Sequence, residues 1–163
     1  MASIIEAVKQ AVYNSTGLDM LYYTGGDLNV MLDTQPLPCA FAYLIESGTV
    51  ADVNGNYHER IRLGIFFVDK GDLDMSSYNN EQTIQQCKTR AYKFLHSLRL
   101  NDVVRVVGEI QSNRVYEQFD AHLTGFAVNV TLEELYGVGA CGLEEEESNG
   151  LIKKRLSFIW QSF

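Results

Sequence analysis

The side chains that most often carry chemistry are scattered along this sequence. The histidines stand alone, without the three- or four-residue spacing that places two metal ligands on one helix face: His58, His96 and His122. The cysteines are odd in number and far apart, with no C-x-x-C pair: Cys39, Cys87 and Cys141. Reduced, buried thiols and surface or structural histidines are therefore predicted, rather than a disulfide framework or a zinc site.

Two short patterns resemble binding loops but lack essential parts. Asp69, Asp72 and Asp74 could open a calcium loop, yet the central glycine and the closing glutamate do not follow at the required distances. Thr24-Gly25-Gly26-Asp27 has neither the lysine nor the glycine spacing of a phosphate-binding loop. Both patterns predict solvated turns, and we expect neither an enzyme active site nor a cofactor.

Composition favours one globular domain with an acidic surface. The chain has 163 residues and is 46% hydrophobic, which allows a sizeable core. Its net charge of -8 opposes binding to nucleic acid phosphates, which requires clustered Lys and Arg. The beginning of the sequence has no basic stretch followed by an apolar run, and no run is long enough to span a bilayer. We expect a protein made in a cytoplasm, without a membrane partner.

Helical spacing of apolar residues predicts two helices. Ser3 and Glu6 form a capping box, and apolar residues then recur at helical spacing until Gly17. Asn79 and Gln82 offer a second capping box. The helix that follows has one apolar stripe: Ile84, Cys87, Ala91, Phe94, Leu95 and Leu98.

Four main strands are predicted around these helices. Residues 38–46 and 60–69 are apolar and aromatic, and Asn54-Gly55 between them favours a tight turn, so they form a long hairpin. A third strand begins at residue 103 and a fourth covers residues 119–132, where alternation is strict from Phe126. The predicted fold class is α+β, a mainly antiparallel sheet of about four strands packed against two helices, plus a C-terminal extension.

The composition changes after Leu135. Glycines and a run of four glutamates at residues 144–147 indicate a linker, and residues 151–163 have apolar side chains near helical spacing. We therefore divide the chain into a core domain, residues 1–135, and a linker with an amphipathic C-terminal arm, residues 136–163. Aromatic anchors dominate interfaces, so an arm that carries the only tryptophan suits docking to a partner or to its own core.

The order of elements over residues 3–135 resembles the tail terminator and tail-completion proteins of long-tailed bacteriophages. The shared features are an N-terminal helix, a proline-containing approach to a strand (Gln35-Pro36-Leu37-Pro38), a long hairpin, a helix after an acidic loop, and a closing strand. The closing strand, residues 119–132, is the most similar part. The abundance of Tyr and Asn is also typical of phages of Bacteroidetes, including the crAss-like group. Residues 136–163 depart from the family pattern.

The resemblance implies a structural protein of the virion rather than an enzyme. Such subunits form a ring, here a hexamer or a dodecamer, in the head-to-tail connector, where they contact portal, connector or tail proteins and let DNA pass without specific binding. Since head-to-tail contacts that close by rotation generate rings, we expect the sheet edges, the hairpin and the arm to form the subunit interface. The interface residues expected are Asn54, Gly55, Tyr57, Leu156, Phe158, Ile159, Trp160 and Phe163.

Two alternatives to assembly remain open from the sequence. The first is a small binding or enzymatic domain with a pocket between the second helix and the sheet, built from residues such as Tyr92, Arg105 and Tyr116. The second is a bacterial adaptor that recruits a partner through its C-terminal arm.

Overall fold

The computed structural model describes residues 3–24, 32, 34–51, 55–72, 78–118, 122–135 and 138–139. Within these residues a mostly antiparallel sheet packs against two helices, so the predicted α+β class is confirmed. No helix in the described part of the chain is both long and apolar enough to cross a membrane.

The first helix, α1, covers Ile4–Thr16 and has the two ends that the sequence predicts. At its start, the Ser3 hydroxyl accepts a hydrogen bond from the backbone N–H of Glu6 at 3.3 Å. At its end, Gly17 adopts the left-handed conformation, with φ of 71°, and its N–H donates to the carbonyl of Tyr13. Both ends are determined by residues within one turn of the helix, which is why the sequence pattern located them.

The second helix, α2, covers Tyr78–Arg99 and begins earlier than its capping box predicted. Asn79 lies inside the first turn rather than before it. The neighbouring Asn80 is buried and exchanges two hydrogen bonds with the backbone of Asp72, at 2.7 and 2.8 Å. The predicted apolar stripe is confirmed, with five fully buried side chains: Ile84, Cys87, Ala91, Phe94 and Leu98.

Among the described residues, six strands form the sheet: β1 Met20–Tyr23, β2 Cys39–Ala51, β3 Asn56–Lys70, β4 Val104–Gln118, β5 Leu123–Glu134 and β6 Val138–Gly139. Their order is β1-β2-β3-β5-β4, and β6 pairs with β3. The four main strands predicted correspond to β2 to β5. The short β1 runs parallel to β2, whereas the other pairs are antiparallel.

The β2–β3 hairpin is longer than its sequence suggests. Residues 47–58 read as a polar connection, yet the ladder continues through them from Glu46 opposite Arg62 to Ala51 opposite Tyr57. Much of this part of β2 is exposed, so its polar composition resembles that of a loop. Pairing with β3, rather than burial, keeps these residues in a strand.

The two faces of the sheet have different coverings. Alternate residues of β3 and β5 pack against α1 and α2 in the main core: Ile61, Leu63, Ile65, Phe67, Phe126, Val128, Val130 and Leu132. A smaller buried cluster contains none of the helix residues: Leu32, Cys39, Phe41, Val68 and Leu123. Since neighbouring residues of a strand point to opposite faces, this cluster covers one end of the helix-free face.

Candidate assembly surfaces

The tip of the hairpin and the start of the C-terminal extension lie side by side. Tyr57 is exposed, and Gly55 has a φ of 80°, as a tight turn requires. Strand β6 pairs with the same part of β3, with Val138 opposite Tyr57 and Gly139 opposite Asn56. The extension therefore follows the hairpin toward its tip before leaving the described part of the chain.

Only two of the eight predicted interface residues can be placed. Gly55 and Tyr57 lie at the exposed end of the hairpin. The other six lie outside the described residues: Asn54, Leu156, Phe158, Ile159, Trp160 and Phe163.

The outer edge of β2 is open along more than half of its length. Strand β1 covers only residues 40–43, where Tyr23 lies opposite Tyr43. No described strand pairs with the outer edge of residues 44–51. A register irregularity between Leu44 and Glu46 interrupts the strand, and such bulges restrict unspecific pairing of edges. Beyond it, six residues of regular strand present backbone groups to the outside.

The outer edge of β4 is the second open edge, on the opposite side of the sheet. Among the described residues, β4 pairs only with β5. Its ladder is irregular between Val107 and Gln111, where Gly108 has a φ of 71°. The ladder is regular from Val104 to Val107 and from Gln111 to Val115, and a second irregularity follows before Gln118. Four consecutive residues after the first bulge are exposed and polar: Gln111, Ser112, Asn113 and Arg114.

Strand direction makes the two open edges compatible. Each neighbour along β2, β3, β5 and β4 is antiparallel, so β4 runs opposite to β2. A second copy placed beside the first in the same orientation would present its β2 antiparallel to β4. Such a contact continues the sheet with its ordinary hydrogen-bond pattern.

A buried carboxylate lies between these edges, on the helix-free face. Glu133 is 2% exposed and accepts hydrogen bonds from the guanidinium groups of Arg60 and Arg105, with 2.9 Å between Arg60 Nε and Glu133 Oε2. The hydrogen bond from Arg105, followed by that from Arg60, lowers the pKa of Glu133 although burial opposes this. Nearby, Arg62 donates to Gln111 at 2.9 Å. These contacts connect β3, β5 and β4 across the sheet.

This arginine cluster was not predicted from the sequence. Arg105 and Arg60 are 28 and 73 positions from Glu133, so no local pattern relates them. One signal was present: the alternation of β5 continues past Leu132, and Glu133 then falls on the same face as Thr131.

The pocket considered for a small binding domain is not formed by the residues named for it. Tyr92 meets Phe126 edge to face, with 6.1 Å between ring centroids. The hydroxyl of Tyr116 donates to Glu81 of α2 at 3.1 Å. Arg105 instead bonds Glu133 on the opposite face of the sheet. The three side chains therefore do not converge.

An apolar concave surface in the described part of the chain is a groove between α1 and α2. It has a volume of about 620 Å³ and is lined by Asn14, Ser15, Thr89, Tyr92, Lys93, His96, Ser97 and Leu100. Tyr92 and Leu100 are 51% and 74% exposed. Large apolar side chains exposed together often mark a surface that binds another segment.

The two described cysteines have an environment that makes them poor nucleophiles. Cys39 and Cys87 are buried and unpaired, and burial raises the pKa of each thiol to about 11. Within the described ranges, no group of three His, Cys, Asp or Glu side chains could hold a metal ion. The thiols fit the predicted structural role.

Over the described residues, the fold and these surfaces define an α+β domain with two sheet edges that no described strand covers, an arginine-bound buried glutamate and an apolar groove between its helices. Comparison with protein-family models and with curated proteins found no match.

Proposed function

We propose that this chain is a structural subunit that assembles head to tail into a closed ring, in which β4 of each copy pairs with β2 of the next. The observation that carries the proposal is the pair of open edges on opposite sides of one sheet. Head-to-tail contacts between two different surfaces generate rings when the rotation closes. A ring would also leave no open edge of this kind exposed.

The register within one subunit is compatible with such a contact. Gly48 lies opposite Arg60, Arg60 opposite Glu133, and Glu133 opposite Arg105, so Gly48 and Arg105 are at the same level on opposite edges. All four also share the helix-free face. A neighbour at the same level would therefore continue both faces of the sheet and place its Glu46 two residues from the position opposite Arg105, on the same face, as a diagonal neighbour. Opposite charges at this spacing favour cross-strand pairing.

The setting we propose is the head-to-tail connector or tail terminator of a bacteriophage virion, as the sequence resemblance suggests. The ring would be a hexamer or a dodecamer that contacts portal, connector or tail proteins, and the subunits would be made in the host cytoplasm. The net charge of -8 suits a protein that DNA passes without adhering, because like charges repel.

Native mass spectrometry and negative-stain electron microscopy of the purified full-length chain test the ring directly. Two proline variants, Ser47→Pro and Gly48→Pro, then test the edge. Consecutive residues of an edge strand alternate between an N–H directed at β3 and one directed outward. Proline removes the N–H, so one variant breaks the subunit's own ladder while the other removes only an outward donor.

We expect the variant that loses only an outward N–H to be monomeric and to keep the thermal midpoint of the unmodified protein. The variant that loses a hydrogen bond to β3 should unfold at a lower temperature. Matched proline variants on the opposite edge are Val106→Pro and Val107→Pro, at the level of Ser47 and Glu46; the one that removes only an outward N–H should also prevent ring formation. The proposal is wrong if the unmodified chain remains monomeric at high concentration, or if rings form in both β2 variants.

A further inference from the structure

The groove between α1 and α2 exposes apolar surface that a single long segment could cover. Tyr92 of α2 and Leu100, which directly follows the last residue of α2, lie along it. Two helices packed side by side leave a concave surface into which a third amphipathic helix can lay its apolar face. The helices of the core domain leave this surface uncovered in the described part of the chain.

Residues 151–163 have the pattern of such a helix. Their apolar positions recur at spacings of four, three, one and three residues, which places them on one face: Ile152, Leu156, Ile159, Trp160 and Phe163. The opposite face carries Lys154 and Gln161 together with Phe158, and Lys153 and Arg155 lie on either side of the apolar stripe. Trp160 offers the largest apolar area and is the natural anchor for a groove.

The connection between groove and arm consists of β6 and residues 140–150. Leu135 donates its backbone N–H to the carbonyl of Val103 at 2.9 Å, three positions beyond Leu100, so the chain passes the end of the groove. From Gly139, residues 140–150 can span roughly 36 Å when extended. An attached segment also binds at an effective concentration in the millimolar range when its linker matches the distance.

We infer that residues 151–163 dock as a helix into the α1–α2 groove of their own chain, with Trp160 between Tyr92 and Leu100. This inference does not depend on ring formation. It identifies the occupant of the groove as the arm, and it makes the free subunit a protein that carries its arm folded back.

Trp160 is the only tryptophan, so its fluorescence reports the arm in the full-length chain. In the unmodified protein we expect emission at shorter wavelength than in urea, and weak quenching by acrylamide. The double variant Tyr92→Glu, Leu100→Glu should shift the emission toward that of the unfolded chain and increase the quenching severalfold. Tyr78→Glu is the matched control, because Tyr78 is exposed on the same helix but lies at its other end; its spectrum should not change.

A variant of the arm itself separates docking from damage to the domain. The double variant Ile152→Asp, Ile159→Asp changes no residue of the core domain and should give the same red shift of the tryptophan emission. Its far-UV circular dichroism spectrum should differ from that of the unmodified chain only by the helical signal of the arm. The inference is refuted if the unmodified chain has the same emission wavelength in buffer as in urea. It is also refuted if the groove variant and the arm variant both have the emission spectrum of the unmodified chain.

Dilution distinguishes the chain's own arm from that of a neighbour. Native mass spectrometry shows the concentration range in which any oligomer dissociates. If the arm docks within its own chain, the tryptophan emission stays constant as the protein is diluted through that range. A red shift that accompanies dissociation would show docking between copies and overturn the inference while leaving the proposed ring intact.

Discussion

Replacing Glu133 with glutamine should destabilise the subunit measurably at neutral pH. The carboxylate is 2% exposed, and both oxygens accept from guanidinium groups. Glu133→Gln keeps the shape but removes the charge and turns one acceptor into a donor facing an arginine. Hydrogen bonds to charged groups contribute about 1.5–3 kcal/mol each.

Solvent reduces this cost, since the side chains of Arg60 and Arg105 are 42% and 53% exposed. Counting two arginine partners at about half of their full contribution gives a loss of about 2 kcal/mol in the free energy of unfolding. For a chain of this length, that corresponds to a decrease of roughly 4–8 °C in the thermal midpoint. Urea unfolding, followed by far-UV circular dichroism at one fixed protein concentration, measures it.

The matched control is Glu81→Gln, which removes a carboxylate paired with Arg114 at 2.9 Å. Both partners are about half exposed, 44% and 49%. An exposed pair of this kind contributes little to stability because solvent screens it, so the control should lose clearly less stability than Glu133→Gln.

The pH dependence follows from the lowered pKa of Glu133. In the unfolded chain the carboxyl titrates near its ordinary value of 4.5, whereas in the folded protein the arginines hold its pKa below that value. The stabilisation by the charged carboxylate is therefore complete above the unfolded pKa and is lost as the pH falls through the folded one. The difference between the unmodified protein and Glu133→Gln should be constant from neutral pH down to about pH 5 and then decrease. A difference below about 0.5 kcal/mol at pH 7, or one that grows in acid, would refute this reasoning.

Three further changes have defined expectations. The hydroxyl of Thr124 is buried without a hydrogen-bond partner among the described residues, so Thr124→Val should raise the free energy of unfolding by about 1 kcal/mol; a loss of stability would mean that the hydroxyl is satisfied. An added Cβ at Gly125 would overlap the backbone of β3, so Gly125→Ala should lower the free energy of unfolding, measured in urea, by at least about 2 kcal/mol; an unchanged free energy of unfolding would contradict this packing. With pKa values of about 11, only about one in a thousand of the Cys39 and Cys87 thiols is ionised at pH 8. In a Cys141→Ser variant, Ellman's reagent should therefore react with these two thiols only when the protein unfolds. Prompt reaction of the native variant would show that the thiols are not buried.

Local signals located most of the secondary structure. The ends of α1 depend on Ser3 and Gly17, each within a turn of the helix it limits, and the stripe of α2 needs only helical spacing. The start of α2 was placed two residues late, because Asn79 fits a cap as well as a first turn. Residues 47–58 were assigned to a connection because their stability as strands comes from pairing with each other, and composition reports burial better than pairing.

Long-range contacts account for what the sequence did not predict. The parallel pairing of β1 with β2, the two open edges and the Glu133 cluster all depend on which strands become neighbours in the sheet. The β2–β3 hairpin was predicted correctly, since an Asn-Gly turn between two apolar runs specifies that feature locally. Specific edge residues could not be named without the strand order.

The position of β5 between β3 and β4 has a consequence for how the subunit folds. The β2–β3 and β4–β5 hairpins are each built from contacts close in sequence, whereas the ladder that joins them brings together residues as far apart as Arg60 and Glu133. Closing such a long loop is slow relative to hairpin formation, so docking of two preformed hairpins should limit the folding rate. Until that step, β3 offers an edge that is later buried, and a newly synthesised neighbour can insert its own β4–β5 hairpin there. Exchange of hairpins between copies is therefore the misfolding route to which this strand order exposes the protein at high concentration.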